Sequence, residues 1–322
     1  MDKDILLMPK IDLHLHLDGS VRIDTVYELL NKKVSLKEIR KNMCINDDSS
    51  SLSDYLKKFD LPIKVMQSKE NLERIAFELV EELEKENVIY AEVRFAPFFH
   101  TKEGLSLDEV ITSVLKGLRK GKIKVGLILC LMRGSSFEDN KKIVFLTKKY
   151  QDKGVVGFDL AGDEGRYPNY LYKDLFVLGK ELGLNYTIHS GEGDGASSVL
   201  EAIKLGTKRI GHGVRCDGLI DLLKENNITL EVCPSSNIDT KIVSNIKDHP
   251  FMKLYSSKVL VTVNTDNRTV SNTNLTREYS LLKDAFNLKY EDFIKLNINS
   301  VNAAFISSLE KKKYIDILKK HL

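Results

Sequence analysis

His14 and His16 stand two residues apart at the end of a short apolar run, so on a β-strand both imidazoles face the same side. His189 closes another such run, and Asp266 follows a third. Three neutral imidazoles and a carboxylate suit Zn²⁺, with iron or cobalt as substitutes. None of the four cysteines joins them, which argues against a thiolate-bound structural zinc. The plainer reading is that each imidazole hydrogen-bonds a neighbour inside a core. A metal held by so few protein ligands keeps a position for water and lowers its pKa from 15.7 to about 7, which makes hydrolysis the natural reaction class. Glu192 lies three residues beyond His189, and His212 sits between Gly211 and Gly213. Together they offer a proton donor and a base. The glycine neighbours of His212 suit an exposed imidazole, while Glu192 could instead be a carboxylate favoured at a helix start. His100, His249 and His321 have no comparable setting.

These side chains need a scaffold that brings the ends of distant strands together. Eight β-branched apolar runs, at 10–15, 88–96, 123–131, 155–161, 184–190, 207–212, 228–233 and 259–265, read as strands. Amphipathic text between them, as at 69–86, 107–121, 141–154 and 195–206, reads as helix. Strand then helix eight times over predicts an α/β fold, a (β/α)₈ TIM-type barrel with its chemistry at the C-terminal strand ends. No G-x-G-x-x-G follows the first strand, which counts against an open dinucleotide-binding sheet. The first run ends at 15 and the second begins at 88, so extra helices are inserted there: a helix near 23–31, a polar loop at 46–54, and the stretch 55–66. Within it Leu56, Phe59, Leu61 and Met66 form either a lid over the active end or packing against the scaffold.

Composition narrows the partners. The chain has 322 residues, 30% charged and 42% hydrophobic, which fits one globular domain over 1–322. Lys and Arg number 49 against 46 Asp and Glu, a balance with no basic footprint for nucleic acid or an anionic membrane. The partner is expected to be a small molecule. The start of the chain carries no leader-like apolar region, which predicts a cytoplasmic location. The basic run at 310–320 reads as a solvated helix face.

Seven segments in order resemble the adenosine/AMP deaminase family: His14-Leu-His16-Leu-Asp18-Gly19-Ser20, Ala91-Glu-Val-Arg94, Asp159-Leu-Ala-Gly162-Asp-Glu164, His189-Ser-Gly-Glu192, Arg209-Ile-Gly-His212-Gly, Glu231-Val-Cys-Pro-Ser-Ser-Asn237 and Asn264-Thr-Asp266. The resemblance implies hydrolytic deamination of adenosine, and of 2′-deoxyadenosine, to inosine and ammonia, as in purine salvage. It implies one Zn²⁺ per chain on His14, His16, His189 and Asp266. Glu192 would protonate purine N1, and His212 would orient or deprotonate the attacking water. His16, Asp18, Gly162 and Asn267 would contact the nucleoside, and Leu56 and Phe59 would belong to a substrate-covering lid. Many members carry Asp where Asn267 stands; an amide NH₂ can still donate to N7. Alternatives are an adenine deaminase or a deaminase of a modified adenosine. More remote are a two-metal hydrolase, which would want a lysine at the end of the fourth strand, and a non-catalytic nucleoside-binding protein.

Overall fold

The computed structural model describes residues 2–45 and 52–322. Eight parallel strands, β1 (Lys10–His16), β2 (Val88–Phe95), β3 (Lys124–Met132), β4 (Val155–Ala161), β5 (Tyr186–Ser190), β6 (Arg209–His212), β7 (Thr229–Val232) and β8 (Leu260–Val263), pair in chain order. With helices between them they form the expected (β/α)₈ barrel. The seam between β8 and β1 closes by a bridge from Leu15 to Asp266. There the His16 N–H donates to the Asp266 carbonyl at 2.7 Å, and the Asp266 N–H donates to the His14 carbonyl at 2.8 Å. Further along β1, Ile11 N–H donates to Asn297 Oδ1 (2.8 Å) and Leu13 N–H to Asn264 Oδ1 (3.0 Å). Side-chain amides thus take ladder positions that the short β8 leaves empty, as buried N–H groups require.

Side-chain caps fix the helix starts. Ser106 and Glu109 form a reciprocal capping box for Leu107–Leu118, and Ser68 caps Lys69–Lys85. The helix expected at 141–154 instead runs Phe137–Tyr150, because Ser136 Oγ accepts from Asp139 N–H and starts it a turn earlier. Gly154, at φ 101°, then turns the chain into β4.

Between β1 and β2 the expected helix appears as Ile23–Leu29, followed by Leu36–Met43. Of the polar loop expected at 46–54, residues 46–51 lie outside the described residues, and 52–54 belong to a helix, Leu52–Leu56. That helix runs through a 3₁₀ turn into Asp60–Val65. Pro62 is tolerated there because the first turn has no intrahelical acceptor for its missing N–H. The two roles weighed for this stretch divide by residue: Met66 is buried in the core with Leu61 against it, whereas Leu56 and Phe59 face a cavity at the barrel mouth.

Candidate active site

The C-terminal strand ends bring the sequence-distant histidines together. His16 Nε2 lies 3.4 Å from Asp266 Oδ1 and 3.4 Å from His189 Nε2, and His14 Nε2 lies 3.5 Å from the same Asp266 oxygen. Ligand atoms of His14, His189, His212 and Asp266 all fall within 4.8 Å of one another. Asp266 and His212 have φ of 56° and 61°, left-handed values uncommon for residues with a side chain. At Asp266 the two hydrogen bonds to β1 hold that conformation and turn the carboxylate toward the histidines.

Two further carboxylates orient the rings from below. Glu231 Oε2 is 2.8 Å from His14 Nδ1, and Asp159 Oδ2 is 2.9 Å from His189 Nδ1. The hydrogen bond to Glu231 places the His14 proton on Nδ1 and leaves its Nε2 lone pair toward the cluster, the usual way a ligating histidine is held, while Asp159 lies as a counter-charge against His189. His14 Nε2 is buried and has no hydrogen-bond partner among the described residues, so this donor set fits a cation. Burial opposes charge on Glu231, but Arg209 and Arg94 outweigh it and hold the carboxyl well below its ordinary range. Arg209 Nε sits 2.6 Å from Glu231 Oε1 and an Arg94 nitrogen 2.9 Å from Oε2. Arg94 also reaches Asp159 Oδ2 at 2.9 Å. The barrel interior beneath the site is therefore an ion network rather than layers of aliphatic side chains. Burial and Arg94 work to lower the pKa of His14, yet Asp266 and Glu231 raise it overall. The field there favours a positive charge, whether proton or metal. His16 and His212 are pushed well below their ordinary values by burial and are neutral.

A cavity of about 720 Å³ opens onto this cluster, with Asp18, Gly162, Glu192 and Asn267 in its wall. Glu192 Oε2 lies 3.5 Å from His212 Nε2. Burial, with Asp266 nearby, raises the Glu192 carboxyl to about 8. Glu192 is not a helix-start carboxylate, since the next helix begins at Ala196. Its loop is instead held by Glu164, whose carboxylate accepts the N–H groups of Gly191 (2.6 Å), Glu192 (2.9 Å) and Gly193 (2.7 Å). His212, expected to be exposed, is 1% exposed: it lines the cavity wall but is covered from behind by Asn237. Gly162 has φ 106°, which a side chain would strain. Asn267 Nδ2 donates to the Tyr55 hydroxyl at 3.0 Å, and a Cβ on Gly19 would fall 1.8 Å from Asn267 Oδ1. Tyr55, Ser236, which donates to Asp266 Oδ2 at 2.5 Å, Glu164, Asn237 and His249 are among the polar neighbours that sequence reasoning missed. Of these, Glu164, Ser236 and Asn237 lie inside the quoted segments.

Residues 9–321 match the adenosine deaminase family. An adenosine deaminase of Clostridium perfringens strain 13 is 43% identical over 96% of this chain and 98% of its own length. One of Clostridium botulinum strain Langeland is 45% identical over 95% of each chain. Among solved structures, the Arabidopsis N6-mAMP deaminase superposes with a TM-score of 0.91 at 30% identity, covering 99% of this chain and all of that one. The adenine deaminase of Arthrobacter aurescens, at 23% identity and a TM-score of 0.88, shares the fold. With its barrel, its histidine cluster and relatives alike from end to end, the chain belongs to the adenosine deaminase family, a family of hydrolases acting on carbon–nitrogen bonds.

Proposed function

We propose that this protein converts adenosine, and 2′-deoxyadenosine, with water to inosine and ammonia. The observation that carries the reading is the meeting, in one cavity, of a buried carboxylic acid, Glu192, with His212 and a cation-seeking His/Asp cluster. His14, His16, His189 and Asp266 would hold one Zn²⁺, a choice that rests on imidazole and carboxylate donors without a thiolate. When bound, such an ion supplies the Lewis acidity that activates water near neutral pH. The residues of the chain do the rest. Glu192 gives a proton to purine N1, so that C6 becomes electrophilic and charge does not build up on the ring. His212 sits beside it and orients the attacking water. Asn267 keeps one amide hydrogen free for N7, the bare backbone at Gly162 approaches N3, and Asp18 accepts a ribose hydroxyl. His16 lies at the nucleoside side of the cluster, and Leu56 and Phe59 cover the bound purine.

Removing metal with a chelator is expected to abolish adenosine turnover, and stoichiometric Zn²⁺ to restore it. Full activity in a preparation shown by elemental analysis to be metal-free would contradict the assignment. Asn267→Ala is expected to raise KM for adenosine while moving kcat less, and Gly19→Ala to do the same by displacing Asn267. An unchanged KM in both, from steady-state kinetics, would take Asn267 out of the purine site.

A second reading, deamination of a 5′-phosphorylated adenosine, is favoured by Lys64 and Lys102 in the cavity wall. Their ammonium groups could meet a phosphate, although Asp60 and Glu103 beside them offset the charge. Parallel kcat/KM values for adenosine, adenine, AMP and N6-methyl-AMP decide between the readings. A two-metal hydrolase is disfavoured because Asp159, at the end of β4, is engaged by Arg94 and lies against His189.

A further inference from the structure

His249 is dispersed from the site in sequence and sits outside the cavity wall, yet it joins the site through two hydrogen bonds whose direction can be deduced. The Phe251 N–H donates to His249 Nδ1 at 3.0 Å, so Nδ1 is the bare nitrogen of that ring. His249 is buried, and burial lowers its pKa to about 4, so the ring is neutral and its proton is on Nε2. Nε2 lies 3.2 Å from Asn237 Oδ1 and must donate to it. The side-chain amide of Asn237 is fully buried and has one orientation left, with Nδ2 turned to His212 Nδ1 at 3.0 Å. An amide NH₂ only donates, so His212 Nδ1 is an acceptor and carries no proton.

We propose that His249 and Asn237 are positioning residues that hold His212 as the Nε2–H tautomer, with that N–H directed at the catalytic centre. The arrangement is the reverse of His14, where the Glu231 carboxylate at Nδ1 frees the Nε2 lone pair. It separates the histidines of one cluster by role. His14 and His189 can ligate a metal through Nε2. His212 has no lone pair to offer there; it donates a hydrogen bond to the oxygen that attacks C6, does not bind the ion, and leaves the water's proton to the Asp266 carboxylate facing the same cluster, from which it would pass to the amino group as the C6–N bond breaks and ammonia leaves. This assignment rests on the deaminase reading for its target atom, and on the hydrogen-bond geometry and burial of His249 and Asn237 for the tautomer.

The test is direct observation of the ring protons in the full-length, zinc-reconstituted protein labelled with ¹⁵N-histidine. Long-range ¹H–¹⁵N correlations, assigned with a His212→Asn variant, are expected to show a bare Nδ1 and a protonated Nε2 on His212. A proton on Nδ1 in the wild-type protein would overturn the proposal. Asn237→Asp preserves volume and the bond from His249 but turns an acceptor toward His212. It is expected to move the proton to Nδ1 and cut kcat on the order of 10- to 100-fold with KM nearly constant. His249→Gln keeps a donor to Asn237 and is expected to restore most of the kcat and the wild-type tautomer that His249→Leu loses. Wild-type kcat in Asn237→Asp, in a variant whose tautomer has switched, would also overturn it. Should the protein show the expected tautomer yet leave adenosine untouched, the deaminase reading fails and the orienting chain stands.

Discussion

Glu192→Gln is expected to bind adenosine with near wild-type affinity and lose turnover by about 10²- to 10⁴-fold, the range of a missing general acid. Glutamine keeps the volume of the side chain and a hydrogen-bond donor, but it has no proton to give to N1. The acid form is available because burial and Asp266 raise the carboxyl to about 8. A cation on the neighbouring cluster pulls it back toward neutrality. The sign follows: a raised carboxyl is protonated below its folded pKa, so kcat should fall as pH rises through it. That alkaline limb should be missing from the residual rate of the variant. Binding by equilibrium dialysis and turnover by single-turnover absorbance separate the two effects. Retained kcat would remove Glu192 from the acid role.

Glu231→Gln should damage both fold and metal site, although the residue touches no substrate. Its carboxylate is buried among Arg94, Arg209, Thr187 and His14. Neutralising it leaves two guanidinium groups short of an anion in the barrel interior, a loss of about 3–5 kcal/mol when a buried pair is broken. The same change removes the carboxylate that orients His14, which typically costs about 10- to 100-fold in metal affinity. Denaturant unfolding of the metal-free protein reads the first effect, and competition against a chelating dye the second. Wild-type values in both would show that the network under the site is dispensable.

The strands were legible because an apolar β-branched run buried on both faces leaves the same mark wherever it lies in the chain. All eight begin and end within two residues of their expected positions, and each proposed metal ligand lies where a run stops. The charges inside those runs were visible but mute. Glu92, Arg94, Asp159, Arg209 and Glu231 alternate with apolar residues along their strands, yet which carboxylate meets which histidine depends on register between strands far apart in sequence. Polar composition misled at 52–54, where the local text lacks an apolar period but the chain is helical and continues into the cavity wall. His249 left no mark at all. Its importance comes from a backbone N–H two residues on and an amide twelve residues back, a pairing that only the folded loop after β7 creates.

The proposed reaction is replacement of the amino group of adenosine with oxygen. Its most direct test is to incubate the zinc-loaded protein with adenosine while following the ultraviolet spectrum and released ammonia together. The expected result is conversion to the inosine spectrum with one ammonia per nucleoside, abolished by a chelator. An unchanged adenosine spectrum with no ammonia, under conditions where zinc is shown to be bound, would contradict it.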